Sequence, residues 1–315
     1  MKFTEETLKL YAAPLSDTEN EKCKHAIDEV RKALKKLYYT DDDKEIGILV
    51  PDTISYSISM RNYFSSEKVT IFIQGSYANN TCVRGDSDVD VAIVREDTSE
   101  CVYGDSFKTY NPKKSEANKF KDIVEMALIK YFENGVQRKN KSILVKGNTY
   151  RKQSDVVPCM STRHALTVYS PYDKTGIVIY ADDGSIIYNF PKQHIENGKA
   201  KNKATNYYYK KMVRIIKKMR HLMNDIGYTS ANNVSSFGLE SLLWNVPDSI
   251  FTKYTPYRYE FGEIVTYLYQ HASEFATYKE ANSIKPLCPT GQDVIKYISF
   301  IKDLYSFYDY DIVER

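Results

Sequence analysis

Residues Ile71 to Val94 read IFIQGSYANNTCVRGDSDVDVAIV. The apolar run Ile71-Phe72-Ile73 stops at Gly75-Ser76, and a polar loop leads to an alternating segment that carries Asp88 and Asp90 before closing in Val91-Ala92-Ile93-Val94. In an extended strand residues i and i+2 point to the same face, so the spacing predicts two carboxylates side by side. They repel unless a cation lies between them. Mg2+ suits this pair, because it prefers hard oxygen ligands and keeps positions open for phosphate oxygens.

The rest of the chain sets bounds on that reading. Its 315 residues, 42% hydrophobic and 27% charged, suffice for one large or two modest domains with a real core. A formal net charge of +3 gives no global mandate for nucleic acid, so a basic function has to come from local clustering. No apolar run reaches bilayer length, and Met1 to Glu6 lacks the form of a signal peptide, so no membrane role and a cytoplasmic address are expected. The five cysteines are odd in number and scattered without a CxxC pair, which favours reduced thiols and argues against a zinc module.

Working outward, Thr18 to Tyr38 has helical spacing with Asp17-Thr18 as a cap candidate, and Asp41 to Asp43 reads as a solvated turn. Ile54 to Tyr63 is expected to form a second helix. A polar loop is expected over 95–116, followed by a helix from Ala117 to Phe132. β-like runs follow at Ser142 to Lys146, Arg151 to Pro158, His164 to Tyr169, Ile177 to Tyr180 and Ser185 to Tyr188, with Asp183-Gly184 as a hairpin turn. This order predicts an α+β chain with a mixed sheet and helices on one side.

Character changes near Asn189. From Gly198 to Arg220 there are nine Lys or Arg and no acid, while Tyr209, Met212, Val213, Ile216, Met219 and Met223 recur at helical steps. The expected result is a helix with one apolar and one basic face. Helices are also expected over Phe237 to Trp244, Tyr259 to Lys279 and Gln292 to Asp309, making a helical domain over 189–315 after a catalytic domain over 1–188.

Asp155 lies in the β-like run from Gln153 to Pro158. Beside the Asp88 and Asp90 strand it would complete three carboxylates, able to hold two metal ions for in-line phosphoryl chemistry. Gly75-Ser76, at a strand end and helix start, would turn backbone N–H groups and a hydroxyl toward phosphate oxygens. The basic face around Lys217 would hold a triphosphate. Ser161 and Thr162, just past Asp155, are the candidate contacts to an acceptor base. The bland alternatives are a strand-end cap for Asp155, a solvated helix face for Lys217 and Lys218, and packing for Tyr207 to Tyr209.

Gly75-Ser76, the Asp88-Val89-Asp90 pair and a separate Asp155 resemble the signature of the DNA polymerase β-like nucleotidyltransferase superfamily. More narrowly, Gln74 to Asn80 with Asp86 to Val91 resembles the bacterial cGAS/DncV-like nucleotidyltransferases, clade E-like, of antiphage (CBASS) defence. So do Asn189 to His194, Gly198, Lys201-Asn202, Thr205, Val213 to Lys217, Val234 to Phe237 and Glu240. The likeness spans roughly residues 70 to 250.

The resemblance implies a polymerase β-like sheet with flanking helices plus a C-terminal helical domain, bilobed around a central active-site cleft. It implies that Asp88, Asp90 and Asp155 bind two Mg2+, replaceable by Mn2+, and that Asp155 helps deprotonate the acceptor hydroxyl. Gln74, Gly75 and Ser76 would grip the donor triphosphate, Lys217 would contact its phosphates, Ser236 would support them and Phe237 would stack on the donor base. Phe237 stands where many relatives have Tyr, which keeps the stacking surface and removes a hydroxyl. For Ser236 and Phe237 the local alternative is a helix N-cap followed by a core aromatic.

The implied activity joins two or three nucleoside triphosphates into a cyclic oligonucleotide second messenger, a purine-containing cyclic dinucleotide being the favoured product, with release of pyrophosphate at each bond; a downstream effector reads it. A nucleic-acid activator is not implied, since the His/Cys cluster of the animal enzyme is lacking. Two other functions remain open: a template-free or acceptor-specific nucleotidyltransferase, and a non-catalytic nucleotide- or RNA-binding module.

Overall fold

A computed structural model describes residues 3–85, 88–103, 108–110, 114–165 and 174–308. The described chain forms two compact units. One comprises Leu15–Ala78 and Asp88–Lys192; the other takes Met1–Pro14, Asn79–Ser87 and Gln193–Arg315. The first 14 residues and the segment from Asn79 to Ser87 therefore belong with the helical unit, where the sequence alone suggested an uninterrupted block up to residue 188.

The first unit is built on a mixed sheet of eleven strands among the described residues. They are β1 (Tyr39–Asp41), β2 (Gly47–Ile48), β3 (Tyr56–Asn62), β4 (Lys68–Ile73), β5 (Val89–Tyr103), β6 (Lys108–Tyr110), β7 (Val136–Arg138), β8 (Ile143–Val145), β9 (Ser154–Ala165), β10 (Lys174–Tyr180) and β11 (Ile186–Asn189). The main path runs β1-β3-β4-β5-β9-β10-β11. Among the described residues only β5 and β9 pair in parallel, and their neighbours join them antiparallel. Gly184, with φ of +88°, makes the expected turn between β10 and β11.

Period two along β5 divides the sheet into faces. Ala92 and Val94 cluster with Phe72, Val157, Cys159, Ile177 and Ile179 on one face, a cluster of strand residues only. Val91, Ile93 and Val156 are fully buried on the reverse face, the side on which helices Asp17–Lys35 and Lys114–Phe132 pack. The Asp17–Lys35 helix buries Cys23, Ala26, Ile27, Val30, Ala33 and Leu34 at helical steps. Ser16, one residue before the expected cap, closes a capping box with Glu19.

Four local expectations are corrected. Ile54 to Tyr63 is not a helix: β3 buries Ile58 and Met60 at a spacing of two and pairs with β1 and β4. The loop expected over 95–116 is strand where it is described before Lys114, because β5 continues to Tyr103, pairing with β9 and with β6; residues 104–107 and 111–113 lie outside the described ones, and Lys114 starts a helix. Arg151 to Pro158 and His164 to Tyr169 are not separate runs, since β9 is continuous from Ser154 to Ala165 and residues 166–169 lie outside the described ones. Asp41 is also no solvated group: Arg31 grips both its oxygens, at 2.8 and 2.7 Å, and holds its carboxyl down at about 2.

The second unit is organised around the helix Tyr209–Asp225. It buries Tyr209, Met212, Val213, Ile215, Ile216, Met219 and Met223, and helices Glu5–Ala12, Ser236–Trp244, Tyr257–Gln270 and Gly291–Tyr308 pack on it. The basic stretch is two helices, Pro191–Ala204 and Tyr209–Asp225, broken where Asn206 and Tyr207 take φ of 48° and 66°. The helix expected from Tyr259 to Lys279 ends at Gln270, and a 3₁₀ segment, Ala272–Thr277, follows. Among the described residues no helix is long and apolar enough to cross a membrane.

The β5–β9 pair is the centre of the first unit's core. Ile93→Ala, at a fully buried position of β5, is expected to lower unfolding free energy by about 2–5 kcal/mol. Urea denaturation checks this as a lower midpoint with unchanged slope.

Candidate active site

Asp90 stands directly opposite Asp155 in the parallel register of β5 and β9. Paired residues of adjacent strands point to the same face, and Asp88 lies just before β5. Asp90 and Asp155 thus occupy one face of the sheet, at the head of the stripe that continues as Ala92 and Val94, Val157 and Cys159.

Each acid has a local restraint. Gln153 donates Nε2 to Asp88 Oδ1 at 3.0 Å. Lys139 Nζ and Ser142 Oγ donate to Asp155 Oδ1 at 2.9 and 3.2 Å. Asp90 is tied through its backbone, its carbonyl accepting from Gln74 N at 3.0 Å, and its side chain lies against Gly75. Gly75 has φ of +65°, and a Cβ there would come 2.5 Å from Asp90 Oδ2. Glycine is required twice over, by conformation and by space. Among the described residues no three His, Cys, Asp or Glu side chains yet converge to enclose a metal ion.

The second unit places Lys217 differently from its expected role. It is 2% exposed, and its Nζ donates to Glu240 Oε2 at 2.7 Å and to the Thr81 carbonyl and hydroxyl, each at 3.1 Å. The expected phosphate contact is therefore corrected to an internal counter-ion. The reason is Glu240, itself buried, which also accepts from Thr81 Oγ1 at 2.7 Å and pairs with His194 Nε2 at 2.9 Å. Burial pushes the Glu240 carboxyl up, but Lys217 and His194 outweigh it and hold it well below the usual carboxylate range.

Arg214, one turn earlier, is also buried, donating to the carbonyls of Ala12 and Asn80; burial lowers it to about 10. The expected basic face is thus partly interior. Gly198 belongs to the same surroundings, since a Cβ there would meet Asn79 Oδ1 at 2.8 Å.

Ser235, not Ser236, caps the Ser236–Trp244 helix, accepting from Gly238 N. Phe237 is 37% exposed with its ring edge-on to His194 at 5.0 Å, so it is not a core aromatic. Ser161 shares the face of Asp155, but six residues of strand put it about 20 Å further along. Thr162 points to the opposite face and is fully buried, which removes it as a base contact. Asp86 lies outside the described residues.

Lys139, Ser142 and Gln153 were missed from sequence because nothing local marks them. Glu240 did carry a signal, as the one charge in the otherwise largely apolar run LESLLW.

Comparison with known proteins places this geometry. Residues 58–167 match a nucleotidyltransferase domain, and residues 196–309 match the cGAS/DncV-like nucleotidyltransferase C-terminal helical domain. The chain is similar to the cyclic GMP-AMP synthase CdnE03 of Staphylococcus schleiferi, with 41% identity over 318 residues covering 98% of each chain. The chain belongs to the cGAS/DncV-like nucleotidyltransferases.

Within that family it also resembles a cyclic dipurine nucleotide synthase of Elizabethkingia meningoseptica, 32% identical over 295 residues and 90% of each chain. The structure of the CdnE cyclic dinucleotide synthase from that organism, with GTP and Apcpp, superimposes with a TM-score of 0.76 at 31% identity, covering 98% of this chain and 100% of the other. This cGAS/DncV-like chain is accordingly a nucleotidyltransferase of mixed α+β fold with a C-terminal helical domain.

Two outcomes follow from the site. Gly75→Ala is expected to lower turnover roughly 100-fold by displacing Asp90, with folding intact by circular dichroism. Glu240→Gln leaves Lys217 buried without its counter-charge and is expected to cost about 3–5 kcal/mol at pH 7. Because the folded carboxyl of Glu240 is depressed, its contribution is fully present above the unfolded value near 4.5 and is lost as pH falls below it. Urea midpoints should therefore drop less for Glu240→Gln than for the parent between pH 7 and pH 4.

Proposed function

We propose that this chain joins ATP and GTP into a cyclic purine dinucleotide, which acts in the cytoplasm as a second messenger for an effector in antiphage defence. The observation that carries the reading is the parallel register of Asp90 and Asp155, with Asp88 just before β5 held by Gln153. The full-length likeness to a cyclic GMP-AMP synthase supports the choice of purines.

The donor set suits Mg2+ or Mn2+: three acceptor-only carboxylates, two of them in register on one face, with Gly75 leaving room for Asp90. Asp88, Asp90 and Asp155 would hold two such ions, which supply charge stabilisation for in-line displacement at phosphorus. The acceptor hydroxyl oxygen bonds to the donor α-phosphorus as the α–β phosphoanhydride bond breaks, and pyrophosphate leaves. The hydroxyl proton passes toward Asp155. The same exchange in the linear intermediate closes the ring and releases a second pyrophosphate.

Gln74, Gly75 and Ser76 bind the donor triphosphate, and Phe237 offers its half-exposed ring to a base, steadied edge-on by His194. Ser236 supports the phosphates. Ser161, on the acid face of β9, is the acceptor-side candidate.

Mass spectrometry of products from ATP, GTP and Mg2+ tests this. Cyclic GMP-AMP with two pyrophosphates per ring is the expected result; EDTA abolishes it, Mn2+ restores it, and Asp88→Asn with Asp90→Asn eliminates it. Linear products alone would exclude the cyclase, and a product built from pyrimidine triphosphates would exclude the purine assignment.

A further inference from the structure

The turn between β7 and β8 is fastened more heavily than a surface hairpin needs. Lys121, from the helix Lys114–Phe132, is 2% exposed and donates Nζ to the carbonyls of Lys139 and Asn140 at 2.9 and 2.8 Å, while pairing with Asp182 at 3.0 Å. Asn140 donates Nδ2 to Asp183 Oδ2 at 2.8 Å and accepts from Asp183 N at 2.9 Å. Lys139 N closes the turn on Ser142 O at 2.8 Å. A buried ammonium spent on two carbonyls fixes backbone, and this backbone presents Lys139 and Ser142 to a single atom, Asp155 Oδ1.

We infer that Lys139 is a positioning residue for the nucleotidyl transfer: with Ser142 it holds Oδ1 of Asp155 and leaves Oδ2 as the oxygen offered to the metal. The inference rests on the two-metal reading of the acid face. Oδ1 already takes two donors, whereas Oδ2 accepts no hydrogen bond among the described residues. A carboxylate with one oxygen clamped cannot rotate to chelate with both, so the ammonium and hydroxyl select a single orientation. The same ammonium offsets the charge that Asp155 adds beside Asp90 and lets the acid face form before a metal arrives. Lys139 is about two-fifths exposed, so replacing it leaves the core untouched.

The test compares Lys139→Met, Lys139→Arg, Ser142→Ala and Asp155→Asn in the full chain. Mn2+ binding is followed by electron paramagnetic resonance with a non-hydrolysable ATP analogue present, and turnover is measured with ATP and GTP. Lys139→Met is expected to weaken Mn2+ binding and lower kcat by roughly 10-fold or more, with KM within about twofold and an unchanged melting temperature. Ser142→Ala should act in the same direction, and Lys139→Arg should restore part of both losses.

Wild-type kcat and Mn2+ affinity in Lys139→Met would overturn the inference, as would tighter Mn2+ binding with unchanged turnover, which would make Lys139 a mere competitor for the carboxylate. The Asp155→Asn arm separates the two failures. If it leaves Mn2+ binding and turnover intact, the two-metal reading itself fails; if it abolishes them while Lys139→Met is silent, only the positioning role fails.

Discussion

Like-charge repulsion on one face of a sheet is the constraint on which the catalytic unit depends. Adjacent strands lie about 4.8 Å apart, so Asp90 and Asp155, paired in register, would repel by roughly 3 kcal/mol at an effective dielectric constant near 20. Asp88 adds a third charge. The fold opposes this with the fully buried residues behind them, Val91, Ile93 and Val156, which hold β5 and β9 together through apolar packing and ladder hydrogen bonds. Rigid packing on one face is what permits unfavourable charge on the other.

The helical unit solves the opposite problem, that of keeping charge inside. Glu240 and Lys217 lie within apolar surroundings, and a buried ion pair is tolerable only when its remaining lone pairs and protons are satisfied. Thr81, His194 and the Thr81 carbonyl meet that need. Thr81 lies in the segment from Asn79 to Ser87, which explains why that piece of chain belongs with the helices although its neighbours in sequence belong to the sheet. His194 in turn meets Phe237 edge-on, so the buried network also steadies the exposed aromatic.

Much of this was legible in sequence where the signal is local. Alternation marked Asp90 within its strand, opposite Asp155, and glycine before serine at a strand end marked Gly75, whose positive φ and contact with Asp90 admit no side chain. Where two periods compete, sequence failed: Ile54 to Tyr63 reads as helix, but Ile58 and Met60 alternate into the core because β1 and β4 are there to pair with β3. Lys217 misled for a related reason. A lysine in a basic stretch is ordinarily solvated, and only the approach of Glu240, 23 residues later, turns it inward.

By itself the sequence determined which residues can do chemistry and which local conformations they take, because side-chain type and period are properties of neighbouring residues. It marked the candidate acids and the glycine, and it carried the helical character of the C-terminal part and the family resemblance. Only the tertiary structure decided the parallel register of β5 with β9, the turn that presents Lys139 and Ser142 to Asp155, and the burial of Lys217 against Glu240. Those depend on contacts between residues far apart in the chain, whose strength is set by packing and desolvation when the chain closes on itself, and no local pattern encodes them.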